Sequence, residues 1–173
     1  GHGYQVHVGP MNTDVRGHVR IVSADATTYP DVVFNYLSTE QERREWVEAL
    51  RCTRRIMTQP AFDPFRGEEL APGPSVETDE ELLAFVADQG ESAYHPSCTC
   101  KMGLGQDAVT GADLAVHGVR GLRVVDASVM PAITNGNIYA PVLMIAEKAA
   151  DIIMGNQPEQ PLDLPYYVKE GGG

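Results

Sequence analysis

Cysteine is scarce in this chain of 173 residues, with only Cys52, Cys98 and Cys100. Three thiols cannot all pair within one chain, so a disulfide scaffold is excluded and reduced thiols in a cytoplasmic setting are expected. Basic residues are also few, 13 Lys and Arg against 24 Asp and Glu, for a formal net charge of −11. That deficit argues against a nucleic-acid partner and is compatible with a cationic ligand. No apolar run approaches the roughly 20 residues of a membrane span, and no signal-peptide pattern opens the chain. Only peripheral membrane association is left open. Repeats of 20 to 50 residues are absent. A metal site is not expected: His95-x-x-Cys98-x-Cys100 separates its thiols by one residue, whereas zinc sites space them by two to four and need four ligands. Alternation along a strand would put Cys98 and Cys100 on one face, and buried free thiols explain them better than a Cys–His nucleophile does. Glycine-rich dinucleotide fingerprints are missing as well. Gly1-His2-Gly3 lacks the third glycine, and Gly103-x-Gly105-x-x-Ala108 runs into Val109-Thr110-Gly111, which does not read as a helix.

What is present is ordinary in amount, 43% hydrophobic and 21% charged residues, enough for one sizeable core or two small lobes. Gln5–Met11 and His18–Ser23 read as two strands joined through a loop over 12–17. Asp25–Pro30 is a turn-rich link, and Val32–Tyr36 is a short strand or an extended lead-in. Ser38-Thr39-Glu40-Gln41 reads as a capping box opening a helix to about Thr58. Trp46, Leu50, Thr53 and Met57 share one face of it, and its arginines and glutamates are expected on a solvated face. The stretch 59–74, with four prolines and two glycines, is a loop with at most a short turn. Thr78-x-x-Glu81 makes a second capping box, for a short helix ending near Gly90. Ser97–Met102 reads as a strand. So do Leu114–Val116 and Leu122–Val125, around a turn at 118–121. His7, His18 and His117 are expected to be structural or surface residues.

The most informative stretch is 135–155, NGNIYAPVLMIAEKAADIIMG. Pro141 suits a first helical turn, where its missing N–H costs nothing. Met144, Ile145, Ile152 and Ile153 form an apolar stripe. Gly155 suits a left-handed cap. Such a helix turns free N–H groups and a positive dipole end toward whatever precedes it. A buried strand, then Asp126 to Pro131, then this helix make a ligand-facing edge. Residues 156–173 read as a proline-rich tail.

YHPSCTCKMG at 94–103, LRVVDASVMP at 122–131 and TNGNIYAP at 134–141 closely resemble the C-terminal signature of the glucose–methanol–choline flavin oxidoreductases. GYQVHVGPMN, RGHVRIVSAD and FNYLSTEQ extend the resemblance back toward residue 3, and it is strongest to the choline-oxidising branch. The resemblance implies an α+β fold. Residues 1–103 would form a substrate-binding lobe with an antiparallel sheet and helices, and 104–155 the returning strand–helix piece of an FAD-binding lobe. It implies that most FAD contacts lie in an N-terminal part of a longer enzyme. It further implies oxidation of a small alcohol, choline, by hydride transfer to FAD, with an electron-acceptor contact left open. Matched motif to motif, the base that takes the hydroxyl proton is His95, and the amide that holds the oxygen is Asn137. Asn135 competes for that second role from the same turn. Asp126, Ala127, Asn137 and Ile138 would border the flavin. Without the resemblance, His95 reads as a turn residue, Asn137 as a helix cap and Asp126 as a strand-end turn. Tyr139 departs from the Asn more usual in its slot. Two other readings stay open: an oxidoreductase of the same family acting on aliphatic or aryl alcohols, and an inactive globular interaction module.

Overall fold

The computed structural model describes residues 2–157, 159–160 and 162–165. Among them stand two short strands and three helices: β1 (His18–Arg20), β2 (Asp31–Val33), α1 (Glu40–Met57), α2 (Asp79–Gln89) and α3 (Tyr139–Met154). Single 3₁₀ turns occur at Pro60–Phe62 and Ala127–Val129. Helices with a small antiparallel sheet agree with the expected α+β class, though the sheet is smaller than the sequence suggests. None of the helices among the described residues is long and apolar enough to cross a membrane.

The strands pair antiparallel, His18 opposite Val33 and Arg20 opposite Asp31. The expected partner of β1, Gln5–Met11, is not a strand and is largely exposed. β1 turns back through the hydrogen-bonded Asp25–Thr28 turn instead, so its ladder goes to the segment that follows. Gly17 permits this pairing: a Cβ there would sit 1.8 Å from the Val33 carbonyl oxygen.

α1 begins one residue later than the sequence pattern suggests. Thr39, not Ser38, is its cap, accepting from the Glu42 N–H at 3.1 Å. The reciprocal half of a capping box is missing because the Glu42 carboxylate points away, to Leu37 N–H and the Thr13 hydroxyl. Glu42 is thereby buried, at 2% exposure. Arg44 and Arg55 of α1 are exposed as expected, while Arg51 and Arg54 have partners. Arg51 pairs with Asp79 at 2.6 Å. Arg54 binds Glu69 at 2.7 Å and the carbonyls of Gly73 and Val76, tying the proline-rich loop to the helix. α2 follows the sequence closely. Thr78 and Glu81 form both halves of the box, and Gly90 ends the helix. Val15, Val47, Leu82 and Val86 are the buried apolar residues of this part, Leu82 completely.

Beyond residue 90 regular structure is sparse. Ser97–Met102 is not a strand, because Cys98 sits in the left-handed region at φ 71° and breaks the alternation that would align Cys98 and Cys100. The 114–116 and 122–125 segments pair only through an isolated bridge, Ala115 to Arg123, with Val116 N–H on Leu122 and Val124 N–H on Leu114. Leu114 itself lies at φ 64°, which cuts the strand short. A core of Leu114, Val129, Met130, Ile138, Ile145 and Ala149 gathers these loops onto α3. The expected stripe on α3 is therefore rotated: Ile145 and Ala149 are buried, while Met144 and Ile153 are each 58% exposed. Gly155 closes the helix in the left-handed conformation, at φ 72°. The proline-rich tail falls partly outside the described residues.

Candidate active site

The segment after His95 is fastened to the segment after Asp126 by backbone hydrogen bonds, and Cys98 and Met102 pack against the core that holds Val129 and Met130. The N–H groups of Cys98, Cys100 and Met102 donate in turn to the carbonyls of Ala127, Ser128 and Val129, at 3.3, 2.9 and 2.9 Å. A strand pairing with a 3₁₀ turn cannot continue as a ladder, which is why neither side is a regular strand. Asp126 shapes that turn, accepting from the Ser128 N–H at 2.7 Å and from the Ser128 hydroxyl. Ala127 spends its carbonyl on Cys98 and Met130 and packs against the apolar core.

His95 is half-buried. It is followed by Pro96, which biases it to extended backbone. Tyr94 at φ 57° and Cys98 at φ 71° bracket it in the left-handed region. Each such residue costs about 1–3 kcal/mol and persists only where its surroundings hold it. Here the Ser92 hydroxyl accepts from the Tyr94 N–H at 3.1 Å, and the Ala127 carbonyl accepts from Cys98.

The turn before α3 is anchored from the other side. Ile138 is buried in the same core as Val129 and Met130, while Asn137 and Tyr139 on either side of it are exposed. α3 starts without a side-chain cap. Val142 N–H already bonds the Ile138 carbonyl and Pro141 has no N–H, which leaves the Tyr139 and Ala140 N–H groups at the positive end of the helix dipole. Asn135 lies apart from this packing. It borders an open groove of about 540 Å³ together with Gly9–Asn12 and the α1 residues Gln41, Glu45 and Glu48. Of the candidate site residues, Ile138 lies in this core and Ala127 packs against it, while Asn135 borders the groove on α1.

Two features near the site escaped the sequence reading. Thr110 is completely buried, and its hydroxyl donates to the Cys100 carbonyl at 3.3 Å; a threonine in a Val-Thr-Gly turn carries no signal of this. Lys101 pairs with Asp107, and this hydrogen bond and charge hold the Asp107 carboxyl below its ordinary range. No cluster of three or more metal-ligating side chains exists among the described residues.

His95 is half-buried, and Asn137 is exposed next to the uncapped start of α3. The sequence model of the family described as GMC oxidoreductase, C-terminal part, matches residues 13–146, and the chain belongs to that family. It is 56% identical to the oxygen-dependent choline dehydrogenase of Staphylococcus saprophyticus over 169 residues, 96% of this chain and 30% of that protein. It is 57% identical to the protein of that name in Staphylococcus epidermidis, over the same shares. Among solved structures it resembles pyridoxine 4-oxidase from Mesorbium loti, with a TM-score of 0.78 and 33% identity over 86% of this chain and 29% of that one. The chain thus spans about 30% of the length of the curated relatives it matches.

Proposed function

We propose that this chain works as the substrate-side, C-terminal part of an FAD-dependent alcohol dehydrogenase that oxidises choline to betaine aldehyde. The observation that carries the reading is the docking of 98–102 onto 127–129. It supports the reading because the segment just after the YHP motif and Ile138 before α3 share one core, and the 56% identity to proteins named choline dehydrogenase supports the substrate. Residues 1–103 serve as the substrate lobe and 104–155 as the piece that returns to the flavin lobe. Most FAD contacts fall to the part of the relatives that this chain does not span.

The residues present fit a flavin. The uncapped N–H groups of Tyr139 and Ala140 offer donors to an electron-rich edge. Exposed Asn137, beside buried Ile138, presents its backbone and amide on an open surface. When bound, FAD supplies the acceptor for the hydride. This chain does the rest. A ring nitrogen of His95 takes the proton from the alcohol oxygen, the general-base role that histidine fills most often. The Asn137 amide donates to that oxygen as negative charge develops, and the positive end of α3 favours the same charge. Asp126 holds the shape of the intervening turn through Ser128.

The test is made in the enzyme containing both this part and the flavin-binding part of its relatives. His95→Ala is expected to lower turnover on choline by about 10²–10⁴ with flavin content retained, the usual contribution of a general base. Asn137→Ala is expected to slow flavin reduction in stopped flow far more than Asn135→Ala, since Asn135 faces the groove on α1. Near-normal turnover of the His95 variant would remove it from the mechanism. A larger loss at Asn135, or at Tyr139→Phe, would move the oxygen-holding role to that residue. Efficient turnover of aryl or aliphatic alcohols in place of choline would reassign the substrate.

A further inference from the structure

The backbone that leads into His95 is held by contacts to which the proposed chemistry gives no role. The Tyr94 N–H donates to the Ser92 hydroxyl oxygen at 3.1 Å, and Tyr94, directly before His95, lies at φ 57°. A tyrosine is unfavourable in the left-handed region and stays there where its surroundings hold it. On the N-terminal side of His95 this hydrogen bond supplies that hold. The same Ser92 oxygen accepts from the Tyr36 hydroxyl at 3.4 Å, from 56 residues earlier in the chain. Tyr36 is fixed in turn. Its ring stacks on Phe34, with centroids 5.3 Å apart and planes within 5° of parallel. The residues on either side of it are both left-handed, Asn35 at φ 63° and Leu37 at φ 58°. Asn35 donates to the Arg16 carbonyl at 3.2 Å. The Leu37 N–H donates to the buried Glu42 carboxylate, and its carbonyl accepts from Arg43 at 2.7 Å. Through Tyr36 and Ser92, α1 and the segment after β2 thus reach the backbone beside His95.

We propose that Ser92 is a positioning residue for His95, and that the Tyr36 hydroxyl positions Ser92. This rests on the functional reading given above, in which His95 is the base. The physical reason is local. When the Ser92 oxygen is removed, the Tyr94 N–H loses its acceptor, while the conformational cost at φ 57° remains. Tyr94 then relaxes toward negative φ, and rotation about that bond swings the backbone that carries the His95 ring. Cys98 stays fastened by its N–H to the Ala127 carbonyl at 3.3 Å, so the change falls between these two points. A displaced base loses rate at the proton transfer, and a 1 Å misplacement can cost about 10²-fold.

The experiment compares Ser92→Ala, Ser92→Thr and Tyr36→Phe with the wild type, in the complete flavin-loaded enzyme turning over choline. Ser92→Ala should lower kcat about tenfold, short of the loss for a full 1 Å misplacement. Its KM should change less than about twofold, the pattern of an interaction that matters in the transition state. Ser92→Thr keeps the hydroxyl and should stay within about twofold of the wild type. Tyr36→Phe keeps the ring stack but removes the donor, and should lower kcat roughly threefold. The decisive measurement is a double-mutant cycle with His95→Ala. Without the ring there is no base to place, so Ser92→Ala should add less than about twofold to the loss already caused by His95→Ala. If Ser92→Ala multiplies that loss by its full factor, the proposal is overturned. A lowered melting temperature with unchanged kcat, or a raised KM alone, would also overturn it and leave Ser92 a plain stabiliser of the loop. Near-normal turnover of His95→Ala would instead sink the functional reading, and the positioning role with it. A full loss at His95 with an independent effect of Ser92 sinks the positioning role alone.

Discussion

The part around α1 and α2 and the part around α3 are held together by different forces. The first uses side chains: the Thr39 and Thr78 caps, the Arg51–Asp79 and Arg54–Glu69 pairs, and the buried Glu42. The second uses backbone bonds from 98–102 to 127–129 and a small apolar core under α3. The second includes Ile138, next to the candidate Asn137, and Cys98, three residues after the candidate His95. Loops fastened by main chain to one core can carry varied side chains outward without losing their course, which is what a site on loops needs. Helices fastened by caps and ion pairs give a rigid flank, and that flank supplies one wall of the groove at Asn135.

The largest effects expected come from cutting each core. Leu82 is completely buried under α1, and Leu82→Ala should cost about 2–5 kcal/mol by urea denaturation. Ile145→Ala, in the core under α3, should cost a similar amount. The comparison is sharpened by amide exchange. Leu82→Ala should loosen α2 and leave the Cys100 and Met102 amides protected, and Ile145→Ala should do the reverse. If both variants expose both sets together, the two parts unfold as one unit and the contrast is lost.

A smaller effect is expected at the α2 cap. Thr78→Ala removes the acceptor for the Glu81 N–H and should cost about 1 kcal/mol, with no change in the exchange of Cys100 or Met102.

The smallest concerns acid. Glu81 accepts from the Thr78 and Glu77 N–H groups, and these bonds hold its carboxyl below the ordinary value of 4.5. A carboxyl lowered in the folded state contributes stability above its unfolded pKa and loses it as pH falls through the folded one. The wild type should therefore lose a slight part of α2 stability below about pH 4.5. Glu81→Gln, which keeps an acceptor but cannot titrate, should lack that component when α2 exchange is followed from pH 6 to pH 3. An identical acid profile in the two proteins would show that the cap bonds do not discriminate between the charged and neutral forms.

Much of the molecule was legible where a local signal is also the physical cause. Thr78-x-x-Glu81 gave α2 its start because the two side chains satisfy the free N–H groups themselves. Gly155 marked the end of α3 because a left-handed cap suits glycine. The motifs around His95 and Asn137 were readable as a family signature, and the family followed. Only the tertiary structure decided what depends on distant partners. β1 chose β2 over Gln5–Met11, a choice between two extended segments that alternation cannot make. Ser97–Met102 has the composition of a strand, yet Cys98 turns left-handed because its N–H is claimed by Ala127, 29 residues on. Glu42 carries a helix-surface residue's sequence context and is buried, because Thr13 and Leu37 bring donors to it from outside the helix. Periodicity and capping act within a few residues and so were written in the sequence. Ladder partners, left-handed strain and buried charge arise where separated segments meet, and those meetings belong to the fold.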